Sequence, residues 1–357
     1  MKFLLCSDLH LSVNEKEYSL SVLHEIVKLC INEKCDLLLF AGDVFDSWAD
    51  VEALRSDYRD SLEILPEATS VFFLPGNHEE LRMPDRSKLE KFDFGRAKLL
   101  ATIPFSLLPL NNSVELLAVP FQKDYSNYRE WKVPPRSKPL RILLGHGMVS
   151  GIVYTGPGED SDSVFDEELF ASLEVGIAAL GHIHGFSITR RGGTIIAYPG
   201  SARVWREGED GPRKVIIGTI DEVPPRLESR VLSSAGEYRV IPVYASPGGE
   251  LQMKEPDNLL KTDFIKLNVT GFVEDEASVA QTLEKLKQDL QKKCRKLTSD
   301  TDNLSVLAGV STHPLALRFL QEWEKALIKY GNEEAGVYEL ARLKGLGVLK
   351  DILESRK

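Results

Sequence analysis

Apolar residues in this chain gather in short unbroken runs, and each run stops at a polar cluster. Phe3-Leu4-Leu5-Cys6 gives way to Ser7-Asp8-Leu9-His10, and Leu37-Leu38-Leu39-Phe40-Ala41 to Gly42-Asp43. Val71-Phe72-Phe73-Leu74 runs into Pro75-Gly76-Asn77-His78-Glu79, residues 140–144 into Gly145-His146, and Ile177-Ala178-Ala179-Leu180 into Gly181-His182-Ile183-His184. Runs of this length without alternation predict strands buried on both faces, as in parallel sheets covered by helices. Between the first two runs, Leu20, Leu23, Val27, Cys30 and Ile31 recur at helical spacing and predict a helix over 18–31 that carries a surface or packing histidine, His24. Val51, Leu54, Tyr58, Leu62 and Leu65 mark a second helix, so the order is strand, helix, strand, helix, the pattern of an α/β fold. Further strands are expected over 114–119 and 214–220, with a hairpin of 187–190 and 194–198 around Gly192-Gly193.

Beyond Pro224-Pro225 the pattern changes. Strands are expected over 239–244 and 264–269, then one long amphipathic helix bearing Val279, Leu283, Leu286, Leu290, Cys294 and Leu297. Residues 314–353 read as helical, with Phe319, Leu320, Trp323 and Leu327 on one segment and a break at Gly345-Leu346-Gly347. A chain of 357 residues allows about two domains. The expected division is 1–235 as the large domain, 236–300 as a small α/β domain and 301–357 as a helical C-terminal segment.

Composition changes the picture in two places. The formal net charge of −10 argues against a protein that coats nucleic acid non-specifically, while leaving room for a local basic groove. The four cysteines lie in or beside apolar segments without a Cys-x-x-Cys pair, so they read as buried small hydrophobes. The first apolar run is too short for a signal peptide and no segment could span a bilayer, so a reducing cytoplasm and no membrane partner are expected.

The chemistry sits at the ends of the strands. A Gly-Asp after a strand is by itself a turn or a helix cap more often than a site. Here five strands end in carboxylate, amide or imidazole, and the carboxyl ends of parallel strands form one rim on which ligands bind. That rim would gather Asp8, His10, Asp43, Asn77, His146, His182 and His184, with His78 beside them; five of the seven histidines fall in the group. Two carboxylates, four imidazoles and an amide oxygen suit two divalent ions bridged by Asp43, and favour Mn²⁺, Fe²⁺ or Zn²⁺ over the oxygen-seeking Mg²⁺ and Ca²⁺. The loop over 122–139 alternates Tyr125, Tyr128 and Trp131 with Lys123, Arg129, Lys132, Arg136 and Lys138. Such interleaving serves stacking on bases and pairing with phosphates, or else anchors a long loop to the core.

The motifs Asp8-Leu9-His10, Gly42-Asp43-Val44-Phe45-Asp46, Gly76-Asn77-His78-Glu79, Gly145-His146 and Gly181-His182-Ile183-His184 resemble the signature of the calcineurin-like metallophosphoesterases. Within that superfamily the chain is most similar to the SbcD-type DNA repair exonucleases. The Met-Lys-Phe strand enters Asp-x-His directly, Tyr198-Pro199-Gly200-Ser201 follows Gly-His-x-His, and a small α/β cap comes behind. The resemblance covers residues 1–220 well, thins over the cap and is general for the tail. It implies a two-sheet sandwich flanked by helices, with a small α/β cap domain and a helical tail. It further implies two divalent ions per chain, Mn²⁺ foremost, one on Asp8, His10, Asp43 and His184 and the other on Asp43, Asn77, His146 and His182. A hydroxide activated at that dinuclear centre would be the nucleophile, with His78 giving a hydrogen bond or proton to the leaving oxygen. Glu79 stands where these nucleases often have Asp, and Asp46 where eukaryotic and archaeal relatives have His, which points to the bacterial branch.

On this reading the substrate is DNA, with contacts from Tyr125, Arg129, Lys132, Arg203, Arg206 and the basic stretch 285–296. The expected partners are an SMC-like coiled-coil ATPase engaged through the C-terminal helices, since the chain has no Gly-x-x-x-x-Gly-Lys-Ser/Thr of its own, and a second copy in a homodimer. Two other functions share the same motifs: a phosphodiesterase for small nucleotides, and a subunit whose main work is binding DNA or the ATPase.

Overall fold

The computed structural model describes residues 1–80, 86–152, 164–221, 224–246, 248–254, 256–273, 276–306, 310, 313–330 and 335–354. Two compact units are present, Met1–Tyr238 and Arg239–Lys357.

The first unit is built on two six-stranded sheets. One runs in the order Arg226–Val231, Lys214–Thr219, Lys2–Cys6, Leu37–Ala41, Ser70–Leu74, Ala97–Leu99. The other runs Ser187–Arg191, Thr194–Tyr198, Ile177–Gly181, Leu140–His146, Val114–Val119, Ser106–Pro109. The strands that carry the polar clusters are parallel neighbours, for example Phe3 beside Leu37 and Ile177 beside Ile142, whereas the flanking hairpins are antiparallel.

Alternate residues of each strand serve different layers, because strand side chains change face at every step. Phe3, Leu5, Leu37, Leu39 and Ala41 meet Leu116, Ile142, Leu144 and Ala179 between the sheets. Leu4, Cys6, Leu38 and Phe40 turn outward onto helices Lys16–Asn32 and Trp48–Leu62. The outer face of the second sheet, with Leu117, Leu143 and Leu180, is covered by Phe165, Leu169, Phe170 and the 125–131 segment. Both faces of both sheets are therefore buried, which is why the strand sequences read as continuous apolar runs. The result is a two-sheet sandwich flanked by helices. The second sheet begins with the hairpin of Ser106–Pro109 and Val114–Val119 and packs face to face on the first, as the two-sheet expectation requires.

In the second unit, strand Phe264–Val273 pairs in parallel with Lys296–Asp300 and Leu304–Val306, and helix Glu276–Gln291 covers the sheet with Val279, Leu283 and Leu290. The helix is shorter than its periodicity predicts. Leu297 lies on the strand beside Ile265, because the parallel pairing with Phe264–Val273 takes residues that keep helical spacing by coincidence. Helices Pro314–Tyr330 and Ala335–Glu354 follow, with Ala316 and Leu346 packed among Phe272, Phe319 and Leu320. Among the described residues no helix is long and apolar enough to cross a membrane.

Candidate metal centre

Asp8 and His10 follow strand Lys2–Cys6, Asp43 follows Leu37–Ala41, and Asn77 opens the short helix after Ser70–Leu74. His146 closes Leu140–His146, and His182 and His184 follow Ile177–Gly181. The first four come from one sheet and the last three from the other, so the rim is made where two sheets end together. The local backbone is unusual: Asp8, His10, Asp43 and His182 all have positive φ, at 51°, 47°, 51° and 90°. Each such residue costs about 1–3 kcal/mol and persists only where the surroundings fix it. Asp8 N–H donates to Gly42 O (3.0 Å), His10 N–H to Asp43 O (2.9 Å) and His182 N–H to the Asp8 carboxylate (3.1 Å). The strain is concentrated at the candidate ligands.

Two glycines make the convergence sterically possible. A Cβ at Gly76 would lie 2.2 Å from Asp43 Oδ1, and one at Gly181 would lie 1.9 Å from Ala41 O. Glu79, fully buried, then ties its own loop to the one carrying Asp43 by accepting from the N–H groups of Asp43 (3.1 Å), Phe45 (2.9 Å) and Gly76 (2.8 Å). Burial and the adjacent Asp43 carboxylate push its carboxyl up to about 8 despite those donors.

Three triplets of side chains bring ligand atoms within 4.8 Å of one another: Asp8, His10 and His184; Asp8, Asp43 and His146; and His10, Asp46 and His78. The first two overlap at Asp8, whereas the resemblance gives the bridging place to Asp43. Asn77 Oδ1 sits 2.9 Å from His146 Nε2 and 3.2 Å from His182 Nδ1, which joins those residues to the second triplet. In the third triplet His78 Nδ1 donates to Asp46 O (2.7 Å) and the Trp205 indole N–H donates to Asp46 Oδ1 (2.9 Å), so those two atoms are engaged within the protein.

The donor set fits a pair of divalent ions, and the buried lone pairs supply the test. His184 Nδ1 is held by Glu209 Oε1 at 2.5 Å, which leaves its Nε2 as an acceptor only 3.4 Å from His10 Nε2. His146 Nδ1 donates to Ala41 O (2.8 Å), so its Nε2 confronts the Asn77 oxygen with a lone pair. Acceptors turned on each other in a buried site need a cation or a proton between them. Burial would depress His146, but the Asp43 and Asp8 carboxylates reverse this and push it up to about 10; a proton takes the cation's part. Burial outweighs the nearby carboxylates at His10 and lowers it to about 4. Asp43 is also buried, yet the His146 charge and hydrogen bond hold it well below the usual carboxylate range, while burial raises Asp8.

The side chains assigned to substrate divide. Tyr125 is 1% exposed, stacks on Phe165 and donates its hydroxyl to His146 O (2.7 Å), and Tyr128 and Trp131 are buried in the same cluster. These aromatics anchor the loop to the core, so Tyr125 cannot stack on a base. Arg203, also 1% exposed, is corrected too: it donates to His10 O (2.6 Å) and to Glu15 (2.5 Å), bracing the loop that carries Asp8 and His10. Arg129 is exposed and paired with Glu168, Lys132 is exposed, and Arg206 is half-buried near Glu209. Sequence reasoning missed Glu209, which orients His184, and Trp205, which stacks on His10. Both lie just past Tyr198-Pro199-Gly200-Ser201, where no periodicity or spacing singles them out.

The family model for calcineurin-like phosphoesterases matches residues 1–186. The chain is 22% identical over 210 residues to the DNA double-strand break repair protein Mre11 of Thermoplasma acidophilum, covering 56% of this chain and 54% of that one. It is 23% identical over 156 residues to a probable cyclic nucleotide phosphodiesterase of Coxiella burnetii, covering 42% of this chain and 61% of that one. Each match thus spans less than two thirds of the relative's own length. Among solved structures, a dimetal phosphatase from Danio rerio is similar over 61% of this chain and 92% of its own, with 12% identity and a TM-score of 0.42.

Proposed function

The chain belongs to the calcineurin-like phosphoesterase family, and from that premise we propose that it is a metal-dependent nuclease hydrolysing DNA phosphodiester bonds. The observation that carries the reading is the convergence of Asp8, His10, Asp43, Asn77, His146, His182 and His184 from two sheets onto one buried, cation-seeking rim. The similarity to a protein named for double-strand break repair supports DNA as the substrate. Asp8, His10 and His184 would hold one ion, and Asn77, His146 and His182 the other, with Asp43 between them; Mn²⁺ suits this mixed nitrogen and oxygen set. Divalent ions in such a pair lower the pKa of water and neutralise charge on the phosphoryl oxygens.

The remaining work falls to side chains. His78 has Nδ1 tied to Asp46 O, so Nε2, 3.9 Å from Asp43 Oδ2, is the atom that would carry a proton to the leaving oxygen. Its side chain is 16% exposed, open enough to meet a substrate. Arg129, Lys132 and Arg206 are the groups that would pair with backbone phosphates.

Incubation with Mn²⁺ and end-labelled linear and hairpin DNA tests the proposal. Wild type should degrade both, and Asp43→Ala neither. Intact DNA beside rapid hydrolysis of a generic phosphodiester would sink the nuclease reading and favour a small-nucleotide phosphodiesterase, the second reading, which the Coxiella burnetii relative supports. We further propose an SMC-like ATPase partner and a homodimer in the cytoplasm. Capture of such an ATPase should be lost when residues 312–357 are removed.

A further inference from the structure

Trp205 belongs to none of the motifs, yet it touches more of the centre than any motif residue predicts. Its indole lies flat on the His10 imidazole, with ring centroids 4.3 Å apart and planes 10° from parallel. The rings of His78 and His184 meet it edge-on at 5.4 Å and 5.5 Å. It also has two hydrogen-bonding arms. The indole N–H donates to Asp46 Oδ1 (2.9 Å), the same oxygen that lies 3.4 Å from His10 Nδ1. The backbone N–H donates to Glu209 Oε2 (2.7 Å), the carboxylate whose other oxygen holds His184 Nδ1.

We propose that Trp205 is a positioning residue for the ion held by Asp8, His10 and His184, setting both histidines through their outer carboxylates. The inference rests on the metal-centre reading above. One arm fixes Asp46, so that a hydrogen on His10 Nδ1 has a carboxylate to face and Nε2 is presented inward. The other fixes Glu209 and thereby His184. Carboxylates that hold the far nitrogen of a ligating histidine set its tautomer and ring orientation, and their loss costs roughly 10–100-fold in metal affinity. A platform for stacking a nucleobase is the competing role for an aromatic at a nuclease centre. Here one ring face is taken by His10 and the N–H by Asp46, while the Arg206 guanidinium lies 5.3 Å from the ring centroid. The indole is committed to the protein.

The test titrates Mn²⁺ into wild type, Trp205→Phe and Trp205→Leu, following ion stoichiometry by equilibrium dialysis and tryptophan emission in parallel. Trp205→Phe keeps a ring on His10 and the backbone arm but loses the indole N–H; Trp205→Leu loses the ring as well. Both should bind two ions, with one of them about tenfold weaker in Trp205→Phe and weaker again in Trp205→Leu. Paramagnetic Mn²⁺ should quench wild-type emission, and that quenching should vanish in Trp205→Phe although three tryptophans remain of four. Should both Trp205 variants misfold, Asp46→Ala removes the same arm and should weaken the same ion. Wild-type affinity for both ions in the Trp205 variants, or in Asp46→Ala, overturns the proposal. Failure of wild type itself to bind Mn²⁺, with Asp43→Ala indistinguishable from it, overturns the metal-centre reading instead.

Discussion

Gly76 leaves no room for a methyl group, since its Cβ would fall 2.2 Å from the Asp43 carboxylate and 2.6 Å from Asp43 N. Gly76→Ala should therefore fold but lose bound metal, measured by metal analysis of the purified protein; full metal content would show that the loop can shift. Glu209→Gln should weaken Mn²⁺ binding by about tenfold, because the amide holds His184 Nδ1 less firmly than the carboxylate 2.5 Å away. His78→Ala should retain metal and lose turnover, and loss of metal from that variant would reassign His78 as a ligand. Because the Asp43 and Asp8 carboxylates overcome burial to hold a proton on His146, pushing it up to about 10, an arriving cation must displace that proton. Mn²⁺ affinity should therefore rise with pH up to about 10, with proton release visible by calorimetry in buffers of different ionisation enthalpy. The residue types were legible one by one in the sequence. Their roles were not, because Tyr125 and Arg203 look like substrate contacts until burial shows them bracing the loops behind the ligands.

Between elements, the clearest brace is Glu115 on strand Val114–Val119, directly opposite Arg141 on Leu140–His146. Both are buried, 2.7 Å apart, and Arg141 also donates to Leu173 O (2.7 Å) and Pro134 O (2.8 Å), tying a helix end and a loop to the sheet. Removing one partner of a buried pair costs about 3–5 kcal/mol, so Arg141→Ala should lower the melting temperature sharply. Burial would raise the Glu115 carboxyl, but the Ser137 and Arg141 hydrogen bonds hold it below the usual range. Its contribution is thus complete above the unfolded carboxyl pKa of about 4.3 and is lost as pH falls through the lower folded value. Denaturant melts on the acid side should show a steeper loss of stability in wild type than in Glu115→Gln. The buried strands and the two long helices of the first unit were legible because their periodicities are strong. The short strands Ala97–Leu99 and Ser106–Pro109 were not, since three or four residues at a sheet edge carry too little pattern.

At the scale of the molecule, every candidate ligand lies in the unit Met1–Tyr238. A fragment of residues 1–238 should therefore bind two Mn²⁺ and hydrolyse a generic phosphodiester, and inactivity despite two bound ions would place a required group in residues 239–357. What the sequence settled by itself was local: which segments are buried strands, which residues stop them, and that carboxylates, imidazoles and an amide end those strands. Those features follow from neighbours a few positions apart, so they are written in periodicity and composition. The tertiary structure alone decided which strands join which sheet, that four of the rim residues adopt left-handed backbone, and that Glu79, Glu209 and Trp205 stand behind the ligands. These depend on contacts between segments far apart in the chain, as between Asp46 and Trp205, and such contacts leave no spacing to read.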